Sequence, residues 1–189
     1  MPPKVRVQKE EIVQAAVEIV RAKGAESLNA RTVAAALNCS TQPVFSNFAT
    51  MEDLQEAVMY AAYERYFRFL QENAENGKYP AYKAFGMGYI RFAKEEKALF
   101  KLLFMCDREG RELVSTPDWE VSVDMITAAN GIVREKAEMM HMEMWVCVHG
   151  IATMLATSFL ELDEELASKM LTDVYQGIRM RHCLEVREA

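Results

Sequence analysis

The chain has 189 residues, 51% of them hydrophobic and 26% charged, and a formal net charge of −6. At roughly 150 residues per domain this allows one domain, or a small one joined to a larger one, and it excludes a disordered or collagen-like polymer. No apolar run reaches the ~18 residues that span a bilayer, and the opening MPPKVRVQKEE turns polar where a secretory leader turns apolar. A cytoplasmic protein with no membrane partner is expected.

The charge is unevenly placed. Residues 1–50 carry six basic side chains against four acidic ones, whereas residues 51–189 carry 16 against 24. A basic end on an acidic body fits a small nucleic-acid-binding head followed by a larger domain. Cys39, Cys106, Cys147 and Cys183 are widely spaced without a CxxC pair, and His141, His149 and His182 form no HxxxH or HExxH pattern. Neither a disulfide framework, a metal site nor a cofactor is expected from such spacing.

The chain reads as helix throughout, about nine in all. Ile12, Ala16, Ile19 and Val20, widened by Val13 and Val17, make an apolar stripe from about Lys9 to Lys23, which Gly24 ends. A short second helix spans about Ala30–Leu37 with Asn29 as its N-cap. Asn38-Cys39 makes a tight turn, since Asn tolerates the left-handed conformation. A third helix spans about Thr41–Asn47, with Ser40 capping it through the amide of Gln42 and Pro43 still in the first turn. Thr50-Met51-Glu52-Asp53 has capping-box form and opens a long fourth helix to about Asn73. Asn76-Gly77 and Pro80 break the chain before a fifth helix, about Ala81–Lys94, and a sixth, about Lys97–Met105. Asp107–Thr116 reads as a loop. Thr116-Pro117 starts a seventh helix, expected to run to about Met139. The eighth, His141–Leu160, is apolar nearly all round, and Gly150 within it suggests a close helix–helix approach. The ninth covers about Glu164–Arg181.

Two short helices joined by a tight turn behind a longer one make a helix-turn-helix, the second short helix lying in a major groove. Thr41, Gln42, Ser46 and Asn47 offer donors and acceptors suited to base edges and phosphates. Val44, Phe45 and Phe48 are expected to face a small core with Ile12, Ala16, Val33 and Leu37, because a helix this short is ordered by packing. The pattern alone is shared with helical hairpins of other all-α proteins.

The stretch IVQAAVEIVRAKGAESLNARTVAAALNCSTQPVFSNFATMEDLQEAV, Ile12–Val58, closely resembles the DNA-binding head of the TetR (tetracycline-repressor-like) family. It carries the alanine-rich first helix, the glycine, the capped second helix, Cys-Ser in the usual Val-Ser place, a reader ending in Phe, and an acidic-Leu helix start. Trp145-Val146-Cys147-Val148-His149-Gly150 also resembles the Trp-x3-His-Gly pattern of one subgroup's ligand domain. The resemblance implies a DNA-binding domain over 1–50 and a ligand-binding and dimerisation domain over 51–189. It implies DNA contacts from Asn29, Arg31, Ser40, Thr41, Gln42, Pro43, Phe45, Ser46 and Asn47, with Lys4, Arg6 and Lys9 as a basic arm. Phe45 stands where the family often has tyrosine, Asn47 where histidine is common, and Met51 where a lysine usually begins the fourth helix. Each weakens a phosphate contact, so a shallow salt dependence is expected.

One such head contacts too few base pairs for genomic specificity, so a homodimer on a palindromic operator is implied. The eighth and ninth helices would form its interface through Met154, Thr157, Ser158, Met170, Val174, Gly177 and Ile178. The middle helices concentrate aromatic and methionine side chains. Of these, Tyr82, Phe85, Tyr89, Phe92, Phe104, Trp119, Met125, Trp145 and His149 are taken to line a pocket for a small hydrophobic or aromatic effector, although periodicity alone is the same for a filled core. The resulting expectation is a ligand-responsive transcriptional regulator, usually a repressor in this family. An enzyme is disfavoured: the sequence has no nucleophile elbow, phosphate loop or metal cluster, and Glu95-Glu96 and Glu164-Glu165 read as solvated helix ends. The alternative is a helical scaffold that no longer binds DNA, or a redox-sensing interaction protein using Cys39.

Overall fold

The computed structural model describes residues 7–106 and 116–184, and all its regular structure is helical. Nine α-helices occur among the described residues: α1 Lys9–Lys23, α2 Ala30–Ala36, α3 Gln42–Asn47, α4 Met51–Glu75, α5 Ala81–Glu95, α6 Lys97–Phe104, α7 Pro117–Asn130, α8 Arg134–Ala156 and α9 Glu164–Leu184. A short 3₁₀ turn at Ala25–Ser27 joins α1 to α2. None of these helices is long and apolar enough to cross a membrane.

Two compact units share the chain. One takes the residues through Arg65 together with Glu96–Cys106; the other takes Tyr66–Glu95 and the chain from α7 onward. The first half of α4 therefore belongs to one unit and its second half to the other.

In the first unit, Ile12, Ala16, Val17 and Val20 of α1 close on Val33 and Ala34 of α2, Val44 of α3, and Phe48. The local signals act as their chemistry requires. The Asn29 side chain accepts from the amides of Arg31 and Thr32. Asn38 adopts φ 52°, the left-handed turn between α2 and α3. The amide of Thr50 donates to Asp53 Oδ2 at 2.9 Å while the amide of Asp53 donates to Thr50 Oγ1 at 3.1 Å, the reciprocal box that starts α4. Ser40 does not cap α3. Thr41 holds the N-cap position without a side-chain bond, and Pro43, having no N–H, leaves one donor fewer for a cap to satisfy. Phe45 also departs from expectation, being 51% exposed on the outer face of α3 while Val44 and Phe48 supply its buried face.

Glu96 is not a solvated helix end. Only 6% exposed, it accepts from Arg21 Nε at 2.7 Å and Nη2 at 2.8 Å, and from Arg65 Nε at 2.9 Å and Nη2 at 2.6 Å. Burial would raise its pKa, but the bonds from Arg21 and Arg65 prevail and hold the carboxyl below its ordinary range. The cluster ties α1 and α4 to the start of α6.

In the second unit, α8 is the central rod, packed against α5, α7 and α9. Trp119, Val123 and Ile126 of α7 meet Ala137 and Met140 of α8. α7 stops at Asn130 rather than near Met139, because Gly131 takes the left-handed C-cap conformation and its amide returns to the Thr127 carbonyl. The close approach expected at Gly150 lies instead at Gly88. A Cβ on Gly88 would come within 3.0 Å of the Phe69 carbonyl and 3.1 Å of Leu70 Cα, whereas one on Gly150 meets nothing within 4 Å. Gly88→Ala is therefore expected to cost about 1–3 kcal/mol by overpacking, and Gly150→Ala to gain up to ~1 kcal/mol from helix propensity. Denaturant titration of the two variants side by side checks the opposite signs.

Candidate functional site

Helices α1–α3 build a helix-turn-helix. Asn29 spends its side-chain oxygen on capping α2, which leaves Arg31 at the first turn of α2 exposed to solvent. On α3, Gln42, Phe45 and Ser46 are exposed, with Thr41, Pro43 and Asn47 half-buried beside them and Ser40 exposed just before. The Ser46 hydroxyl donates to the Gln42 carbonyl and Asn47 Nδ2 to the Pro43 carbonyl, both at 2.8 Å. These two side chains are thus folded back on their own helix. Lys9 places its ammonium 5.0 Å from the centroid of the Phe48 ring, so it packs on the head. Lys4 and Arg6 lie outside the described residues.

The second unit holds a partly open cavity of about 700 Å³ between α5, α7, α8 and α9, with Tyr66 and Leu70 of α4 on its wall. The volume is within the range of small-molecule sites. Of the residues expected there, Tyr82, Phe85, Tyr89, Met125 and Trp145 line it. Phe92, Trp119 and His149 are not on the wall, and Phe104 belongs to the other unit. The wall also carries Lys83, Asp118, Ser122, His141, Thr172, Tyr175 and Gln176, none of which the sequence marked as effector residues.

The polar groups of this wall are paired in an ordered way. Tyr66 Oη donates to Asp118 Oδ2 at 2.8 Å. Lys83 Nζ donates to Thr172 Oγ1 at 2.8 Å and stands 4.9 Å from the Tyr79 ring centroid. Tyr82 and Tyr89 of α5 meet two histidines of α8, with Tyr82 Oη 2.9 Å from His141 Nδ1 and Tyr89 Oη 2.8 Å from His149 Nδ1. An indole backs each imidazole. Trp119 meets His141 edge-on at 4.4 Å, and Trp145 stacks on His149 at 4.8 Å. Burial pushes the pKa of His141 down to about 4 against the weaker opposing field of Asp118, and burial lowers that of His149 as well. Both rings are therefore neutral at pH 7. Among the described residues, no group of three or more His, Cys, Asp or Glu side chains could hold a metal ion.

The residues expected at a dimer interface lie toward the ends of α8 and along α9. Met154, Thr157, Ser158, Met170 and Gly177 are exposed and Val174 is half-buried. Ile178 packs partly against the α7–α8 core. Val146, Leu166 and Met180 are exposed on the same two helices, and Phe159, just after α8, is 83% exposed.

Residues 82–174 match the family described as tetracyclin repressor-like, C-terminal domain. Solved structures of similar fold span nearly the whole chain. A TetR family member from Streptomyces coelicolor A3 is 20% identical, with a TM-score of 0.59, over 88% of this chain and 96% of that one. A TetR-like transcriptional regulator from Rhodococcus sp. RHA1 is 14% identical, with a TM-score of 0.63, over 93% and 96%. The multidrug binding protein EbrR, complexed with imidazole, is 19% identical, with a TM-score of 0.55, over 91% and 95%. No curated protein matches the chain.

Proposed function

We propose, from the match of residues 82–174 to the tetracyclin repressor-like C-terminal domain and the helix-turn-helix ahead of it, that the chain is a ligand-responsive repressor of that family acting as a homodimer on a palindromic operator. The observation that carries this reading is the pairing of a helix-turn-helix, whose reader helix exposes Gln42, Phe45 and Ser46, with an apolar cavity of about 700 Å³ elsewhere in the chain. Arg31 and the N-terminal end of α3 approach phosphates and base edges, and Ser46 and Asn47 exchange their intrahelical bonds for DNA acceptors. The exposed Phe45 supplies apolar contact, for instance to a thymine methyl, where a tyrosine would reach phosphate.

The apolar side chains left exposed on α8 and α9, among them Met154, Leu166, Met170 and Met180, support dimerisation there. The Trp145–His149–Gly150 run supports assigning the second unit to the Trp-x3-His-Gly subgroup. Coupling would run through α4: Tyr66 and Leu70 line the cavity, and the same helix begins at the Thr50–Asp53 box beside the reader. An effector that binds one position of α4 better than the other shifts the population of DNA-competent dimers by that difference in affinity.

The test is fluorescence anisotropy with DNA from upstream of the protein's own gene. The variant carrying Arg31→Ala and Gln42→Ala is expected to bind at least about tenfold more weakly, with its helical circular dichroism unchanged. Equal binding by the variant would remove α2 and α3 from the interface.

A further inference from the structure

His141 lines the effector cavity yet is itself only 9% exposed. Its Nδ1 faces the Tyr82 hydroxyl at 2.9 Å, and Tyr82 makes no other hydrogen bond among the described residues. On this largely apolar wall a phenol proton without an acceptor would be costly, so the half-buried Tyr82 gives its proton to Nδ1. Burial keeps the Tyr82 phenol protonated and the imidazole neutral, which agrees with that direction. A neutral imidazole that accepts at Nδ1 carries its own hydrogen at Nε2. This tautomer is assigned from the partners, as histidine protons ordinarily are.

Nε2–H of His141 has no acceptor among the described residues, and it is not sealed in the interior as Trp119 Nε1 is. It therefore opens onto the cavity. The two orphaned donors lie on adjoining rings, 4.4 Å between centroids. Other groups on the wall set the chemistry around them. Asp118 puts a carboxylate on the same wall and disfavours an anion there. The Lys83 ammonium is committed to Thr172 and the Tyr79 ring. Ser122, Tyr175 and Gln176 add polar groups to the wall, Tyr175 Oη accepting from Asn130 Nδ2 at 3.0 Å, and the remainder is mostly aromatic and aliphatic.

Building on the effector reading above, the geometry points to His141 Nε2–H as the specificity-determining donor of the cavity, and to an uncharged aromatic effector bearing a carbonyl or similar acceptor oxygen as its ligand. Tyr82 acts through His141 as a positioning residue, fixing the tautomer so that the donor is ready before the ligand arrives. A carbonyl oxygen replaces any water at Nε2 with an equivalent bond while its aromatic body fills the apolar remainder. A ligand of the same shape without the oxygen leaves the donor unpaired, and this penalty provides the discrimination.

The experiment compares 2-acetylnaphthalene with 2-isopropylnaphthalene, which match in shape and differ in the acceptor, by quenching of the Trp119 and Trp145 fluorescence. The ketone is expected to bind wild type about tenfold or more tighter than the hydrocarbon. His141→Phe brings the ratio close to one by weakening the ketone alone, and Tyr82→Phe lowers it partway by releasing the tautomer. In ¹⁵N-histidine spectra of the unmodified protein, His141 is expected as the Nε2–H tautomer at pH 7, and its Nε2 signal is expected to move with the ketone only. That measurement stands even where the variants fail to fold.

Equal binding of the two probes by wild type, or an Nδ1–H tautomer, overturns the inference while leaving an aromatic effector cavity in place. Failure of both probes to bind overturns the effector reading and this inference with it.

Discussion

A chain carrying Met154→Glu and Met170→Glu is expected to sediment as a monomer and to bind operator DNA at least ~100-fold more weakly than the parent. Both methionines are exposed, on α8 and α9, and Val146, Phe159, Leu166 and Met180 of the same unit are also open to solvent. Charge at the centre of an apolar interface remains buried and unpaired on association, which costs more than the lost methionine contacts. The second unit should fold normally, because neither side chain belongs to its core. A monomer keeps each reader helix intact yet loses the doubling of contacts that separates specific from non-specific affinity. Sedimentation velocity and DNA titration on one preparation check both halves of the expectation. A double variant that still sediments as a dimer would place the interface elsewhere.

Glu96→Gln is expected to destabilise the unit built on α1–α3 and α6 by about 3 kcal/mol, since the buried carboxylate is the shared partner of Arg21 and Arg65, of which Arg21 alone also pairs with Glu18. Arg21 and Arg65 are each about a third exposed, which keeps the loss at the lower end of that range. The pH dependence has a definite sign. The folded pKa of Glu96 lies below the ordinary 4.5 of a glutamate, so the stabilisation is fully present above about 4.5 and is lost as the pH falls through the folded value. Hydrogen exchange at the amides of α1 should accelerate in the variant at pH 7, and the difference from wild type should shrink in acid. A variant whose α1 exchanges at the parent rate would show that this cluster contributes little to the unit.

Signals carried within four or five residues were legible in the sequence. The Asn29 cap, the left-handed Asn38, the Thr50–Asp53 box and the Thr116-Pro117 start each depend on neighbours along the chain, and they located the helix-turn-helix and most helix ends. Features that depend on distant partners were not. Glu96 looked like any acidic helix end because its partner Arg21 lies 75 residues away. His141 stood in a methionine-rich stretch with nothing to mark its bond to Tyr82, 59 residues earlier.

The cavity shows the same limit. Phe92, Trp119 and Phe104 have the same apolar character and helical spacing as Phe85, Tyr89 and Trp145, so periodicity could not say which face a void. Gly131 was overlooked as a stop because apolar residues on either side of it keep the helical period. Gly150 lies on an open face, and a helical glycine in the sequence can equally mark that or a crowded neighbour. Phe45 was placed in the core on hydrophobicity alone, although the reader helix turns it outward.

The central claim is that the helix-turn-helix reads a specific DNA sequence, and selection from the genome tests it most directly. Purified ligand-free protein is mixed with sheared genomic DNA at low salt, and the retained fragments are sequenced. The account predicts enrichment of a two-fold palindrome that is lost with Arg31→Ala and Gln42→Ala. Retention without sequence preference, or no retention by folded protein, would contradict it and leave a helical scaffold that does not regulate by binding DNA.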